Sequence, residues 1–320
     1  MISLTVMKKI LSIIILFIFS VALYAQKDVI QFLETYIAIQ QINSIDKSAK
    51  YQAFYHLEKK IIMQIITIKK ENLAQEHICC AIASNKSIMV ATKKAWMEAR
   101  LDDGLVFKKG NVRGKCFIEY IPAENAWAPI SAEGYMYINC LWVSGQFKGH
   151  GNANLLLDEC IRDSKAKGKK GLVILSSKKN TTFLTDPKFL KHKKFLLADE
   201  AEPYFELMYL PFDASEKNAT KPQFMPQVKL QQSSENNKEI TIYYTHQCPF
   251  TSKFVPLIEI VANEMNIPFR SILIESAEQA QSSPTPFTTY SLFNDGKFIT
   301  HEILSEPKFL KIMTTLGYNR

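Results

Sequence analysis

Short stretches of strict alternation between apolar and polar residues give way along this chain to helical spacing, and the two rhythms divide it into elements. Residues 27–62 hold neither Gly nor Pro and place Ile30, Phe32, Leu33, Ile37 and Ile39 at helical intervals, which predicts a helix. From Met63 the run "MQIITIKKENL" alternates like a strand and ends in a polar turn. A helix is expected around Ala91–Asp103, then strands over Leu105–Lys108 and Lys115–Ile121 joined by a turn with Gly110 and Asn111. "GYMYINCLWV" (134–143) reads as a long buried strand. Asn152–Lys167 reads as an amphipathic helix stopped by Gly168, and "GLVILSS" (171–177) as another buried strand. "DPKFLKHKKF" (186–195) predicts a short helix with Pro in its first turn, and "PYFELMYL" (203–210) a strand. Residues 213–238 are polar, aperiodic and Pro-containing, as a linker is. Past them come a strand at "EITIYYT", a helix to about Asn266, a strand at Phe269–Ile274, a hairpin turning at Asn294–Gly296, and a helix over about Pro307–Leu316. The expected divisions are a leader (1–25), a helical extension (26–64), a first domain (65–212), the linker (213–238) and a second domain (239–320).

Composition keeps this picture globular: 47% of the 320 residues are hydrophobic and 22% charged. The net charge of +8 comes from lysines spread along the chain; "KAKGKK" and "KHKK" read as solvated helix ends or as contacts for a polyanion such as a polyphosphate, and no nucleic-acid motif accompanies them. The six cysteines form no C-x-x-C pair, so neither a zinc site nor a secreted disulfide scaffold is expected, and no metal. That usage suits a reducing compartment. The N-terminus points the other way: "MKKILSIIILFIFSVALYAQ" has the charged, apolar and small-residue order of a secretory signal.

Between "YINCLWV" and the helix at Asn152 stands Gln146-Phe147-Lys148-Gly149-His150-Gly151. A strand, a glycine turn and a helix aim backbone N–H groups and a helix N-terminus at one spot, which makes an anion site. G-x-x-x-x-G-K-[ST] is absent, and G-x-G-x-x-G lacks its third glycine because residue 154 is Asn, which sets aside P-loop and dinucleotide folds. The string resembles motif A of the GNAT acyl-CoA N-acyltransferases, Gln/Arg-x-x-Gly-x-Gly/Ala. "GLVILSS" falls where that family's next strand belongs, and "FLKHKKF" (189–195) falls on its Phe-Tyr-x-x-x-Gly-Phe helix. The chain is closer still to the YoaP-like N-acetyltransferases, which combine "YINCLWVSGQFKGHG", "AEPYFELMYLPF" and "YYTHQCPFTSKFVP … PTPFTTYSLFNDGKFITHEIL" over roughly residues 65–320.

The resemblance implies an α/β protein: a GNAT fold, with a mixed, mostly antiparallel central sheet and flanking helices, followed by a small thioredoxin-like α/β domain. It implies acetyl-CoA as co-substrate, no metal, and direct attack by the amine of a small-molecule or peptide/protein acceptor, with no nucleic-acid partner. Leu141, Trp142 and Val143 would face the pantetheine arm, and the backbone of Gln146, Phe147, Lys148, Gly149, His150, Gly151 and Asn152 the pyrophosphate. The family's tyrosine acid falls on Leu190, so Tyr204, and behind it Tyr209, are substitute candidates; Glu119 and Glu206 are candidate bases. Cys140 and Cys160 read as small apolar residues.

Cys248 follows a strand at the start of a helix, a place that favours a thiolate. The segment "CPFT" lacks the second cysteine of a redox pair, which leaves either monothiol exchange or a degenerate domain that only recognises a peptide or thiol-bearing substrate. A non-catalytic acyl-CoA-binding protein and a monothiol transfer protein therefore stand as alternatives. A donor made in the cytoplasm suggests a cytoplasmic location and a start near Met63, with no stable membrane association if the leader is absent or cleaved; export or membrane attachment through the leader is the alternative.

Overall fold

In the computed structural model, residues 63–78, 80, 81, 84–213, 221–229 and 239–318 are described. The leader and the helix expected over 27–62 lie outside them. Among the described residues no helix is long and apolar enough to cross a membrane.

The strands of the first unit are β1 (Ile65–Ile68), β2 (Val106–Gly110), β3 (Cys116–Pro122), β4 (Ile130–Ser131), β5 (Tyr135–Val143), β6 (Gly171–Ser177), β7 (Leu196–Ala201) and β8 (Phe205–Pro211). Seven of them form one sheet in the order β1-β2-β3-β5-β6-β8-β7. All its pairings are antiparallel except β5 with β6. That is the mixed, mostly antiparallel sheet expected. The helices are α1 (Lys70–Leu73), α2 (Ile88–Leu101), α3 (Asn152–Ala166) and α4 (Pro187–His192).

Both faces of this sheet are buried, which is why β3 reads as a nearly continuous apolar run rather than a half-polar one. Phe117 and Ile121 point with Phe107, Tyr137, Val173 and Leu175 into a core closed by Val90, Trp96 and Met97 of α2. The intervening Cys116, Ile118 and Tyr120 point to the opposite face, where Leu156, Leu157 and Cys160 of α3 and Leu190 of α4 cover Met136, Leu172 and Ile174. Leu190, at the family's tyrosine position, is thus fully buried core. Asp186 caps α4 by accepting from the Lys188 N–H at 2.8 Å, with Pro187 at the first helical position as the sequence predicts.

Strand β7 has no counterpart in the sequence reading. "LLADEA" lies on the sheet edge, with Leu196 and Leu197 exposed, so it carries no clean alternation. The linker also differs from expectation. Its middle forms β9 (Gln223–Phe224), which pairs with β4, and the Met225 N–H donates to the Pro129 carbonyl at 2.8 Å. Asp199 accepts from the Phe224 N–H and pairs with Lys229, clipping residues 221–229 to the first unit.

The second unit comprises β10 (Ile240–Tyr244), α5 (Thr251–Glu264), β11 (Phe269–Leu273), α6 (Ala277–Gln281), β12 (Tyr290–Asn294), β13 (Lys297–Thr300) and α7 (Glu306–Thr315). Its sheet order is β11-β10-β12-β13, parallel between β10 and β11 and antiparallel elsewhere. Val255, Ile258, Phe309 and Met313 of α5 and α7 pack on Ile240, Ile242, Tyr290 and Leu292.

The two units share a core. Ile274, Ala280 and Phe287 belong to the same cluster as Phe107 and Phe117. Polar contacts fasten the seam: Gln281 Nε2 donates to the Ala126 carbonyl at 3.3 Å, and Thr288 Oγ1 donates to the Trp127 carbonyl. His301 stands between the Tyr204 hydroxyl and the Thr182 carbonyl, 2.8 Å from each.

Candidate active site

The one parallel pairing of the seven-stranded sheet is short, and the site begins there. Strands β5 and β6 are in register only from Tyr135–Gly171 to Ile138–Ile174. Beyond Ile138, β5 stays with β3 as far as Val143, while β6 runs on with β8 to Ser177. The two strands therefore part, and β5 keeps an unpaired edge. An irregularity between Glu119 and Tyr120 leaves Asn139 as the extra residue opposite them, where β5 bends out of the ladder. Further along, the Ser144 N–H donates to the Lys115 carbonyl. The alternation of an antiparallel ladder then turns the N–H and C=O groups of Leu141 and Val143 toward the open side.

Strand β5 delivers the chain into the glycine turn. Gly145, Gly149 and Gly151 have φ of 61°, 87° and 75°, a region in which side-chain-bearing residues are strained. A Cβ built on Gly149 or Gly151 would meet nothing within 4 Å, so the space in front of the turn is open. Helix α3 starts from Gly151 with no capping side chain. Its first-turn N–H groups thus face that space without a side-chain acceptor, as an anion site requires. Two side chains hold the turn. Asn152 Nδ2 donates back to the Phe147 carbonyl at 2.9 Å, and the Phe147 ring packs so closely on Gly114 that a Cβ there would come within 2.1 Å of it. The side chains of Phe147 and Asn152 are therefore buttresses of the turn.

Below the split lies a cavity of about 530 Å³ between the two units. The sheet lines it with Phe117, Glu119, Cys140 and Trp142, the loop after β6 with residues 181–185, and the second unit with Cys248, Pro249, Phe250 and Phe254. At its floor Glu119 forms an ion pair with Lys93 of α2, both almost wholly buried, and its other oxygen accepts from Asn139 Nδ2 at 3.1 Å. A buried pair keeps its charges only when each partner is satisfied. Lys93 also lies 4.4 Å from the centre of the Trp96 ring. Neither Lys93 nor Asn139 stands out in the sequence: a lysine in a helix and an asparagine in a strand carry no motif.

The remaining sequence candidates fall elsewhere. Tyr204 does not line the cavity; its hydroxyl is bound to His301, and burial pushes its pKa up to about 12. Tyr209 is a core residue, edge-on to Tyr135. Glu206 is buried on the α3 face of β8, opposite Ser176, with Oε2 lacking a hydrogen-bond partner. Cys160 is core, and burial pushes its thiol up to about 12. Cys140, expected in the core, lines the cavity instead; burial holds its thiol well above the ordinary range.

Cys248 faces the cavity from the turn before α5. Burial away from bulk water pushes its thiol up to about 11, outweighing the Phe250 N–H that favours the charged form. That direction is opposite to the one a helix start alone favours. Among the described residues no group of His, Cys, Asp or Glu side chains is arranged to hold a metal ion.

Residues 268–311 match the family model described as YoaP-like. Over 256 residues the chain is 47% identical to YoaP of Bacillus subtilis (strain 168), described as an uncharacterized N-acetyltransferase; the match covers 80% of this chain and all of that protein. Among solved structures, the GNAT N-acetyltransferase YhbS of Escherichia coli in complex with CoA aligns at 14% identity and a TM-score of 0.34, over 51% of this chain and 89% of its own. The acetyltransferase yncA of Salmonella typhimurium with acetyl-CoA aligns at 16% and 0.34, over 48% and 95%.

Proposed function

Since the chain belongs to the YoaP-like N-acetyltransferases, we propose that it moves an acetyl group from acetyl-CoA to a primary amine by direct attack within a ternary complex. The observation that carries this reading is the parting of β5 from β6 beside an uncapped glycine turn. The turn from Gln146 to Asn152 and the first N–H groups of α3 hold the pyrophosphate, and the free edge at Leu141–Val143 hydrogen-bonds the pantetheine arm beside Trp142. Acetyl-CoA supplies an activated thioester. The amine nitrogen forms its bond to the carbonyl carbon, the C–S bond breaks, and the departing sulfur takes the second proton shed by that nitrogen, so that CoA leaves as a thiol.

Glu119 accepts the ammonium proton, directly or through one water, because it is the candidate carboxylate that lines the cavity. Lys93 and Asn139 act as positioning residues for it. The thioredoxin-like reading of the second unit is supported by its β10-α5-β11 crossover followed by the β12–β13 hairpin and α7. We place the reaction in the cytoplasm, where the donor is made.

Calorimetric titration of acetyl-CoA tests the reading. The wild-type protein is expected to bind in the micromolar range and Gly149→Glu not to bind, because a carboxylate then stands where the pyrophosphate should. A folded wild-type protein that takes up no acetyl-CoA would refute it.

A further inference from the structure

The cavity's chemistry narrows the acceptor. Its walls are aromatic from every side: Phe117 and Trp142 from the sheet, Phe183 from the loop after β6, and Phe250, Phe254 and Phe287 from the second unit. Its ionisable charges are already matched. Glu119 is paired with Lys93 at the floor, and Glu302 with Lys308 on the second unit's side. Burial raises the pKa of the Cys140 and Cys248 thiols, which disfavours the charged form. A polyamine or aminoglycoside would bring several cations out of water with only paired carboxylates to receive them, which is costly. A volume of about 530 Å³ is ordinary for a small-molecule site, which spans roughly 300–1,000 Å³.

We propose that the acceptor is a primary amine carried on an aromatic body, with its ring among these side chains and its nitrogen toward Glu119, and that the Cys248–Phe250 turn of the second unit forms part of its binding site. This rests on the acetyltransferase reading above. Phe250 is suited to the role: it starts α5, lines the cavity, and lies 5.6 Å from the Lys115 ammonium that also covers Trp142 at 3.9 Å. The Lys115 side chain thus stands between the turn and the strand proposed to guide the donor. The second unit acts on acceptor choice by its shape, with no chemistry required of its thiol.

The test uses the full chain at saturating acetyl-CoA and reads CoA release with phenethylamine, tryptamine, spermidine, kanamycin and a peptide with a free N-terminus. The two arylalkylamines are expected to show kcat/KM at least about tenfold above the others. Phe250→Ala should raise their KM about tenfold, the scale of one lost aromatic contact, while its acetyl-CoA affinity by calorimetry stays at the wild-type value. Phe250→Leu should recover part of the loss. Preference for spermidine, kanamycin or the peptide would overturn the proposal. So would an unchanged KM in Phe250→Ala, faster turnover of longer acyl-CoA donors irrespective of the amine, or no turnover of any arylalkylamine by protein that binds acetyl-CoA. Failure of acetyl-CoA to bind is read separately in the calorimeter and removes the acetyltransferase reading itself.

Discussion

Glu119 and Lys93 are 1% and 2% exposed, and that burial decides how each responds to substitution. Removing either partner leaves a charge in the interior with no counterion, at a cost of about 3–5 kcal/mol. Lys93→Met should therefore lower stability by that amount in denaturant titrations. Glu119→Gln should be destabilised similarly and should also lose about 10²–10⁴-fold in kcat if the carboxylate takes the proton. The double variant separates the effects: an uncharged pair should recover most of the stability and none of the rate. A double variant as active as the wild type would remove Glu119 from the chemistry. Glu119 could be nominated from the sequence because a carboxylate inside "FIEYIP" breaks an apolar run. Its partner could not, since the spacing of α2 marks Lys93 as inward-facing without saying what it meets.

At the scale of elements, the glycine turn and the strand before it were legible because the local sequence dictates them: positive φ needs glycine, and the flanking apolar runs set the periods. What no local pattern could show was that β5 and β6 part after Ile138, because strand pairing is a long-range choice. The edge strand β7 leaves no local pattern for the related reason that exposure erases alternation. Helix α4 offers a sharper test of local rules. It ends with the Phe195 N–H on the Leu190 carbonyl and the Lys194 N–H on the Lys191 carbonyl, and Lys194 holds φ of 66°. That is a Schellman ending with lysine at the position where glycine is favoured, and where the family pattern has glycine. Lys194→Gly should stabilise the protein by about 1 kcal/mol, visible as a raised denaturation midpoint with an unchanged m-value.

For the whole molecule, the seam between the units carries a titratable group. His301 is 3% exposed and held between Tyr204 and Thr182; burial lowers its pKa below the ordinary value of about 6.5, while the Thr182 carbonyl and Glu302 pull weakly upward. Burial likewise lowers His246, beside Tyr244, and His77 of the first unit. A depressed histidine pKa means that the unfolded chain binds the proton first as pH falls. The stability His301 contributes is thus complete above about pH 6.5 and is lost as pH drops below that value toward the folded pKa. Melting temperature should be flat from pH 8 to 7 and fall toward pH 5. In His301→Asn it should start lower and fall less steeply. An equal slope in both proteins would assign the pH dependence to the other two histidines.

The β4–β9 clip bears on how the second unit behaves if that seam ever loosens. With residues 221–229 fixed to the first unit, nine residues, 230–238, lead from the clip to Glu239 at the start of the second unit. Nine residues reach no further than about 30 Å when fully extended. A detached second unit would therefore search a small volume, at an effective concentration on the millimolar scale. Reclosure over the cavity would then be a first-order event, independent of how much protein is in solution. The same unit supplied as a separate chain would have to find its seat by diffusion.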